Sequence, residues 1–307
     1  MKLEGIHHIT AITGDAQGNV DFYAGVLGLR LVKKTVNQDD PTVYHLFYAD
    51  EKGSAGTDLT FFEYPGAAPG RAGDGMVHRI VWRVGSPDAV EFWAGRIADA
   101  GREPRREDGR LLFSDPEGLD HELLVDQSGD DPLMADHPEV PGEHALRGFE
   151  AVRAYTSDPS ASRSLLEETL GFAPVEAGYE VRGDQRGGFY FYDAPPEQGG
   201  IPGGGTVHHV AFASTMDDHE AWRARALEGG ARATPVIDRF YFRSIYFREP
   251  SGVLFEIATL GPGFATDEDP DHLGERLSLP PDYEHLRDQV EQRLTPLVNP
   301  RERSTAR

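Results

Sequence analysis

Four times along the chain a short β-branched stretch leads into an amphipathic helix closed by glycine, and then into extended segments. A fixed plan repeated four times restricts the fold more than any single motif does, because each copy must bury the same face against a neighbour. The first copy opens at Gly5-Ile6-His7-His8-Ile9-Thr10 and continues through an expected helix over 15–27, ended by Gly28. Expected strands follow at 29–36, 42–48 and 57–64. In that helix Val20, Tyr23, Ala24 and Leu27 recur at helical spacing. The second copy opens at Gly75-Met76-Val77-His78-Arg79-Ile80, with a helix over 87–100 and strands at 111–114 and 121–125. The third opens at Gly148-Phe149-Glu150-Ala151, with a helix over 159–170 and strands at 174–181 and 188–192. The fourth opens at Thr206-Val207-His208-His209, with a helix over 217–227 and strands at 240–248 and 253–259.

Each copy therefore reads β-α-β-β-β, and the fold class expected is α+β. A single β-α-β-β-β unit leaves one sheet face bare, and pairing two units closes a cupped sheet around a cavity. Gly-, Pro- and Asp-rich linkers cover 65–75, 127–148 and 194–205. They divide the chain into 1–145 with the first two units, 146–262 with the last two, and an acidic tail over 263–307. The tail reads as helical around 282–294 and loose over 301–307.

Aligning the four openings produces two columns. His7, His78, Glu150 and His208 form the first; His8, Arg79, Ala151 and His209 form the second. Adjacent strand residues point to opposite faces, so one histidine of each His-His pair can face a given cavity. The late strands of units 2 and 4 each follow a turn, Asp115-Pro116-Glu117-Gly118 and Glu249-Pro250-Ser251-Gly252, and carry Glu122 and Glu256 respectively. A glutamate between Phe255 and Ile257 on a buried-looking strand needs a partner, because an unpaired buried charge is costly. Two imidazoles and one carboxylate suit Fe(II), Mn(II) or a similar divalent ion with positions left open, and can also hold zinc.

Composition narrows the function classes. The net charge of -22 repels phosphate backbones and anionic lipid, so no nucleic-acid or membrane partner is expected. The absence of cysteine removes disulfides, thiolate metal sites and cysteine nucleophiles. No basic-then-apolar leader opens the chain, and no apolar run approaches the roughly 20 residues that span a bilayer. A cytoplasmic location is the expectation.

Several longer stretches resemble the vicinal oxygen chelate superfamily, which includes glyoxalase I, bleomycin-resistance proteins and extradiol dioxygenases. Within it, the chain is most similar to the dioxygenases that open para-hydroquinone rings. The similarity is carried by Gly5-Ile6-His7-His8-Ile9-Thr10, Leu31-Val32-Lys33-Lys34-Thr35-Val36-Asn37, Tyr44-His45-Leu46-Phe47-Tyr48, the run from Asp238-Arg239-Phe240 to Glu249-Pro250, Leu254-Phe255-Glu256, and Gly263-Phe264-Ala265-Thr266-Asp267-Glu268. The resemblance implies a vicinal oxygen chelate fold of two cupped, mixed-sheet barrels, with units 1 and 4 paired around the metal and units 2 and 3 forming a second, metal-free barrel. It makes the second histidine of each pair a ligand, so that His8, His209 and Glu256 hold Fe(II), or else Mn(II) or another divalent ion. It places His7, Thr10, His208, Arg239 and Tyr246 around the pocket as candidate catalytic residues. The partners implied are a small aromatic substrate and O2, with self-association into a homo-oligomer left open. A glyoxalase-like isomerase or lyase is the rival enzyme reading, and needs a second carboxylate such as Glu63. A metal-free binding protein of the bleomycin-resistance type is the rival outside enzymes. In the second barrel Arg79 is expected to neutralise Glu122.

Overall fold

The computed structural model describes residues 1–300; the segment 301–307, expected to be loose, lies outside the described residues. Each unit contributes four strands. Unit 1 supplies β1 (Ile6–Thr13), β2 (Arg30–Asn37), β3 (Asp40–Ala49) and β4 (Asp58–Glu63). Unit 2 supplies β5 (Val77–Val84), β6 (Arg105–Glu107), β7 (Arg110–Ser114) and β8 (Asp120–Val125). Unit 3 supplies β9 (Phe149–Tyr155), β10 (Ala173–Val175), β11 (Gly178–Arg182) and β12 (Gly187–Asp193). Unit 4 supplies β13 (Val207–Ser214), β14 (Ile237–Asp238), β15 (Phe242–Arg248) and β16 (Leu254–Pro262).

These strands form two eight-stranded mixed sheets. One runs β14-β15-β16-β13-β1-β4-β3-β2 and joins units 4 and 1; the other runs β10-β11-β12-β9-β5-β8-β7-β6 and joins units 3 and 2. In both, the opening strands of the two units pair antiparallel at the centre of the sheet. Each opening strand also lies parallel to the last strand of its own unit. A parallel neighbour requires a crossover, which the unit's helix and its intervening strands provide.

The helix of unit 2, Pro87–Asp99, follows the sequence reading closely. Ser86 caps it by accepting from the Ala89 amide, proline begins it, and Trp93 and Ile97 are buried on its inner face. The helix of unit 1 differs. It is α-helical over Ala16–Val20 and then widens to a π-helix over Asp21–Val26, where the Leu27 amide donates to the Phe22 carbonyl. The widened turn carries Tyr23, whose hydroxyl reaches both Asp115 (2.9 Å) and His121 (3.0 Å) in unit 2. Unit 3 repeats the widening over Ser164–Thr169, and its expected helix is helical only there. Its expected strand over 174–181 breaks into β10 and β11 at Ala177, which has a φ of 61°.

The acidic tail returns to the site-bearing sheet. Lys33 of β2 is fully buried and meets Asp267 (2.7 Å) and Glu268, and the Tyr241 hydroxyl also donates to Asp267. A buried lysine is stable only when paired and hydrogen-bonded, so these contacts fix the tail against the sheet. Farther along, a 3-10 turn over Pro281–Leu286 leads into a helix over Arg287–Arg293. Among the described residues no helix is long and apolar enough to cross a membrane.

Candidate metal centre

The register of the first sheet decides which side chains meet. Across the β1–β13 pair, Thr10 lies opposite His209 and His8 opposite Ala211. Glu256 of β16 lies beside Ala211, and Tyr246 of β15 beside Glu256. Cross-strand neighbours share a face, so His8, Thr10, His209, Glu256 and Tyr246 all project from one side of the sheet. Ala211, in the middle of this group, leaves the space into which the larger side chains converge.

His8 Nε2 lies 3.2 Å from His209 Nε2 and 3.1 Å from Glu256 Oε2, and His209 Nε2 is 2.9 Å from the same oxygen. All three residues are buried. Burial alone would raise the Glu256 carboxyl, but the imidazoles of His8 and His209 outweigh it and hold the group well below the usual carboxylate range. Oε1 of Glu256 is buried without a hydrogen-bond partner. Two imidazole nitrogens and a carboxylate facing one point, with one carboxylate oxygen still unsatisfied, fit a divalent cation.

Above these residues is a narrow cavity that they line together with Phe47, Phe62 and Phe242. One wall is aromatic: His45 packs between Phe47 and Phe62, with centroids 3.9 and 4.4 Å away, and Phe242 lies 5.1 Å from the His8 ring. At the mouth Arg239 makes a two-pronged ion pair with Asp39 (3.1 and 2.9 Å), and Gln38 donates to the Arg239 carbonyl. The Arg239 guanidinium also stands over the Tyr246 ring at 5.6 Å. Burial, with the Glu256 charge, pushes the Tyr246 phenol above its ordinary value.

Of the residues singled out from sequence, His8, Thr10, His209, Arg239, Tyr246 and Glu256 line this cavity. His7 and His208 do not. Each lies beside the histidine that follows it, with Nδ1 2.8 Å from Nδ1 in both pairs. Burial and the neighbouring His8 push His7 down to about 3. His45 also stands in the cavity wall. The signal was present in Tyr44-His45-Leu46-Phe47-Tyr48, where alternation sets His45 and Phe47 on one face and Leu46 on the other. Gln38 and Asp39, at the tip of the β2–β3 hairpin, also line the cavity and carried no signal.

Two further positions bear on the chemistry. Thr60 is the unit 1 counterpart of Glu256, because Thr60 pairs with Thr10 as Glu256 pairs with Ala211. Its hydroxyl bonds Thr10 (2.8 Å) and His45 (2.9 Å). Glu63, the conceivable second carboxylate, instead pairs with Thr13 at the far end of β4 and meets the backbone amides of Ala16 and Tyr44. Asp58 lies behind His8; both of its oxygens are buried without a hydrogen bond, and burial pushes its carboxyl up to about 8.

In the second sheet Arg79 Nη1 lies 3.1 Å from Glu122 Oε2, and Arg110 Nη1 lies 3.0 Å from Oε1. Arginines thus answer the carboxylate that corresponds to Glu256.

Comparison with known proteins supplies relatives and a family. The chain is 40% identical to the "Putative ring-cleaving dioxygenase MhqA" of Bacillus subtilis (strain 168), across 97% of this chain and all of that one. It is 33% identical to the chlorohydroquinone/hydroquinone 1,2-dioxygenase of Sphingobium indicum, across 94% of this chain and 95% of that one. The crystal structure of a "putative dioxygenase" from Bacillus subtilis superposes with a TM-score of 0.89 at 40% identity, covering 97% of this chain and 98% of that one. Glyoxalase I from Zea mays shares the fold at 16% identity, with a TM-score of 0.58 over 83% of this chain and 92% of its own. Residues 5–123 and 148–257 match one family, and the chain belongs to it: the Glyoxalase/Bleomycin resistance protein/Dioxygenase superfamily.

Proposed function

We propose that the chain is a metal-dependent ring-cleaving dioxygenase that opens a hydroquinone-type aromatic with O2, with Fe(II) held by His8, His209 and Glu256. The observation that carries this reading is the converged, buried His-His-Glu group, with its free carboxylate oxygen, at the base of an aromatic-walled cavity. The names of the relatives point to the same chemistry. On this reading the first sheet closes as a cup around the metal, and the sheet of units 2 and 3 is a second, metal-free cup.

A bound Fe(II) supplies Lewis acidity toward a substrate hydroxyl and a route for electrons from the ring to oxygen. One carboxylate and two neutral imidazoles offset only one of the two charges of a divalent ion, so the donor set favours an anionic phenolate. The ring of the substrate lies against Phe47, Phe62 and His45, which exclude water and limit its orientation. Tyr246 holds its proton firmly, and its phenol is a hydrogen-bond donor to oxygen atoms reacting beside Glu256. Arg239, held at the mouth by its pair with Asp39, presents guanidinium N–H groups toward the cavity to oxygen atoms that develop negative charge on the ring. Thr10 and Thr60 relay hydrogen bonds between the cavity floor and His45.

Thr60 also bears on the isomerase alternative, since the position that would supply a second carboxylate holds a hydroxyl. The deciding experiment is anaerobic reconstitution with Fe(II), followed by oxygen uptake across substituted hydroquinones and catechols. Stoichiometric oxygen consumption with hydroquinones is expected. Metal-dependent turnover without oxygen would overturn the proposal in favour of an isomerase or lyase, and a His209→Ala variant with unchanged metal content and ligand binding would favour a sequestering protein.

A further inference from the structure

Strand alternation sends neighbouring side chains to opposite faces, yet in both His-His pairs the rings touch. The registers explain why. Pairing passes from Ile6↔Phe212 to His8↔Ala211 and omits His7; it passes from Thr10↔His209 to Ala11↔Val207 and omits His208. Each first histidine is therefore the extra residue of a β-bulge, which breaks alternation and re-aims its side chain. His7 and His8 meet with rings 84° apart, and His208 and His209 with rings 79° apart.

The hydrogens can then be counted. Two ring nitrogens 2.8 Å apart need one hydrogen between them. His7 Nε2 faces the Thr259 carbonyl at 3.1 Å, and a carbonyl only accepts, so Nε2 of His7 carries hydrogen. A neutral His7 then presents a lone pair at Nδ1, and the shared hydrogen belongs to Nδ1 of His8. That assignment leaves the lone pair of His8 on Nε2, the atom that faces His209 and Glu256.

We propose that His7 and His208 are positioning residues, each accepting a hydrogen bond from Nδ1–H of the following histidine and so fixing the tautomer and ring orientation that direct Nε2 to the metal. This rests on the reading that His8, His209 and Glu256 hold the metal. Ligand histidines ordinarily donate their second N–H to a carboxylate, a carbonyl or water. Asp58 is the carboxylate at hand, but neither of its oxygens makes a hydrogen bond. The same bulges recur in the second sheet at His78 and Glu150, where the next residues are Arg79 and Ala151. There His78 hydrogen-bonds Asp193 and Glu150 pairs with Arg83. The two locks differ at their outer ends: His7 is buried and anchored on Thr259, while His208 is exposed.

The test uses the full chain loaded with Zn(II) as a diamagnetic probe, reading 15N imidazole shifts and Zn(II) affinity by chelator competition. Wild-type spectra should show His8 and His209 metallated at Nε2 and protonated at Nδ1. His7→Leu should weaken Zn(II) binding roughly 10–100-fold, and His208→Leu less. His7→Gln, which can accept from His8 and donate to Thr259, should recover most of the loss. A His8 metallated at Nδ1, or both leucine variants within twofold of wild type, would overturn the proposal. If His7→Leu does not fold, the wild-type shifts and the exposed His208 variant still decide. His209→Ala separates the two levels. Unchanged Zn(II) binding there refutes the metal-site reading itself, whereas lost binding alongside unaffected leucine variants refutes only the positioning role.

Discussion

The second sheet offers a direct test of whether only one of the two sheets carries function. Glu122 is 1% exposed, and both of its oxygens are held by arginine: Arg79 at 3.1 Å and Arg110 at 3.0 Å. Arg79→Leu leaves Arg110 in place, so the cost should be that of one charge-assisted hydrogen bond, about 1.5–3 kcal/mol. Removing both arginines strands a buried carboxylate and should cost about 3–5 kcal/mol. Adding Glu122→Leu removes the stranded charge and should bring stability back to within about 1 kcal/mol of wild type, since buried ion pairs replaced by apolar groups are often neutral. Urea unfolding followed by the buried tryptophans Trp82, Trp93 and Trp222 measures each step. Metal content and oxygen uptake should stay at wild-type values throughout. A triple variant that regains stability but loses metal or oxygen uptake would show that the second sheet takes part in the reaction. A double variant no weaker than Arg79→Leu would show that Glu122 does not depend on its arginines.

Tyr246→Phe keeps the ring against His209 and removes only the phenol; turnover should fall roughly 100-fold or more with metal content unchanged, and steady-state oxygen uptake at wild-type kcat would refute its role. Burial would raise the Asp130 carboxyl, but Arg182, the Gly187 amide and Arg83 outweigh it and hold the group down to about 2. The unfolded chain therefore binds this proton more readily, and the stabilisation, roughly 2 kcal/mol, is complete above about pH 4 and lost as pH falls through 2. In Asp130→Asn the decline of urea midpoint between those pH values should flatten, and a slope equal to wild type would contradict the assignment. Thr60→Glu places a second carboxylate opposite Glu256; chelator competition should show tighter metal while oxygen-dependent turnover drops, and unchanged values of both would show that position 60 does not reach the centre.

The fold was legible because its signals are local. Period-2 strands and glycine at helix ends recur in the four units, a Pro-Gly turn recurs in two, and the longer strands other than the broken 174–181 appear within a few residues of where they read, while the short β6 and β14 carry no such signal. The departures are tertiary. Nothing in the sequence around Tyr23 announces a π-turn, because the contact that accompanies it, with Asp115 and His121, lies in another unit. The ligand column was visible as a pattern of types, but the alternation rule turns His7 and His208 away from their neighbours, and a bulge leaves no mark in a strand's composition. Arg239 finds its acid in Asp39, two hundred positions away across the mouth, a pairing that only the fold creates.

The asymmetry of the first sheet explains how two similar halves make one open site. Units 1 and 4 meet about an approximate twofold relation that exchanges His8 with His209. The same exchange carries Glu256 to Thr60 and Tyr246 to Phe47, because each pair holds the same place in its ladder. Unit 4 therefore supplies the charge and the phenol, while unit 1 supplies a hydroxyl and an aromatic face. A symmetric filling with two glutamates would bring two carboxylates to one buried point and neutralise a divalent ion completely. On the proposed reading, the observed filling leaves positive charge for an anionic substrate and, on the unit 1 side, an apolar wall of Phe47, Phe62 and His45 for its ring. In units 2 and 3 the same frame also carries a single glutamate, Glu122, but Arg79 and Ala151 stand in the histidine column. The charge there is answered by arginine, which cannot deprotonate to become a ligand. Among the described residues, both groups that could hold a metal ion lie in the sheet that joins the first unit of the chain to the fourth.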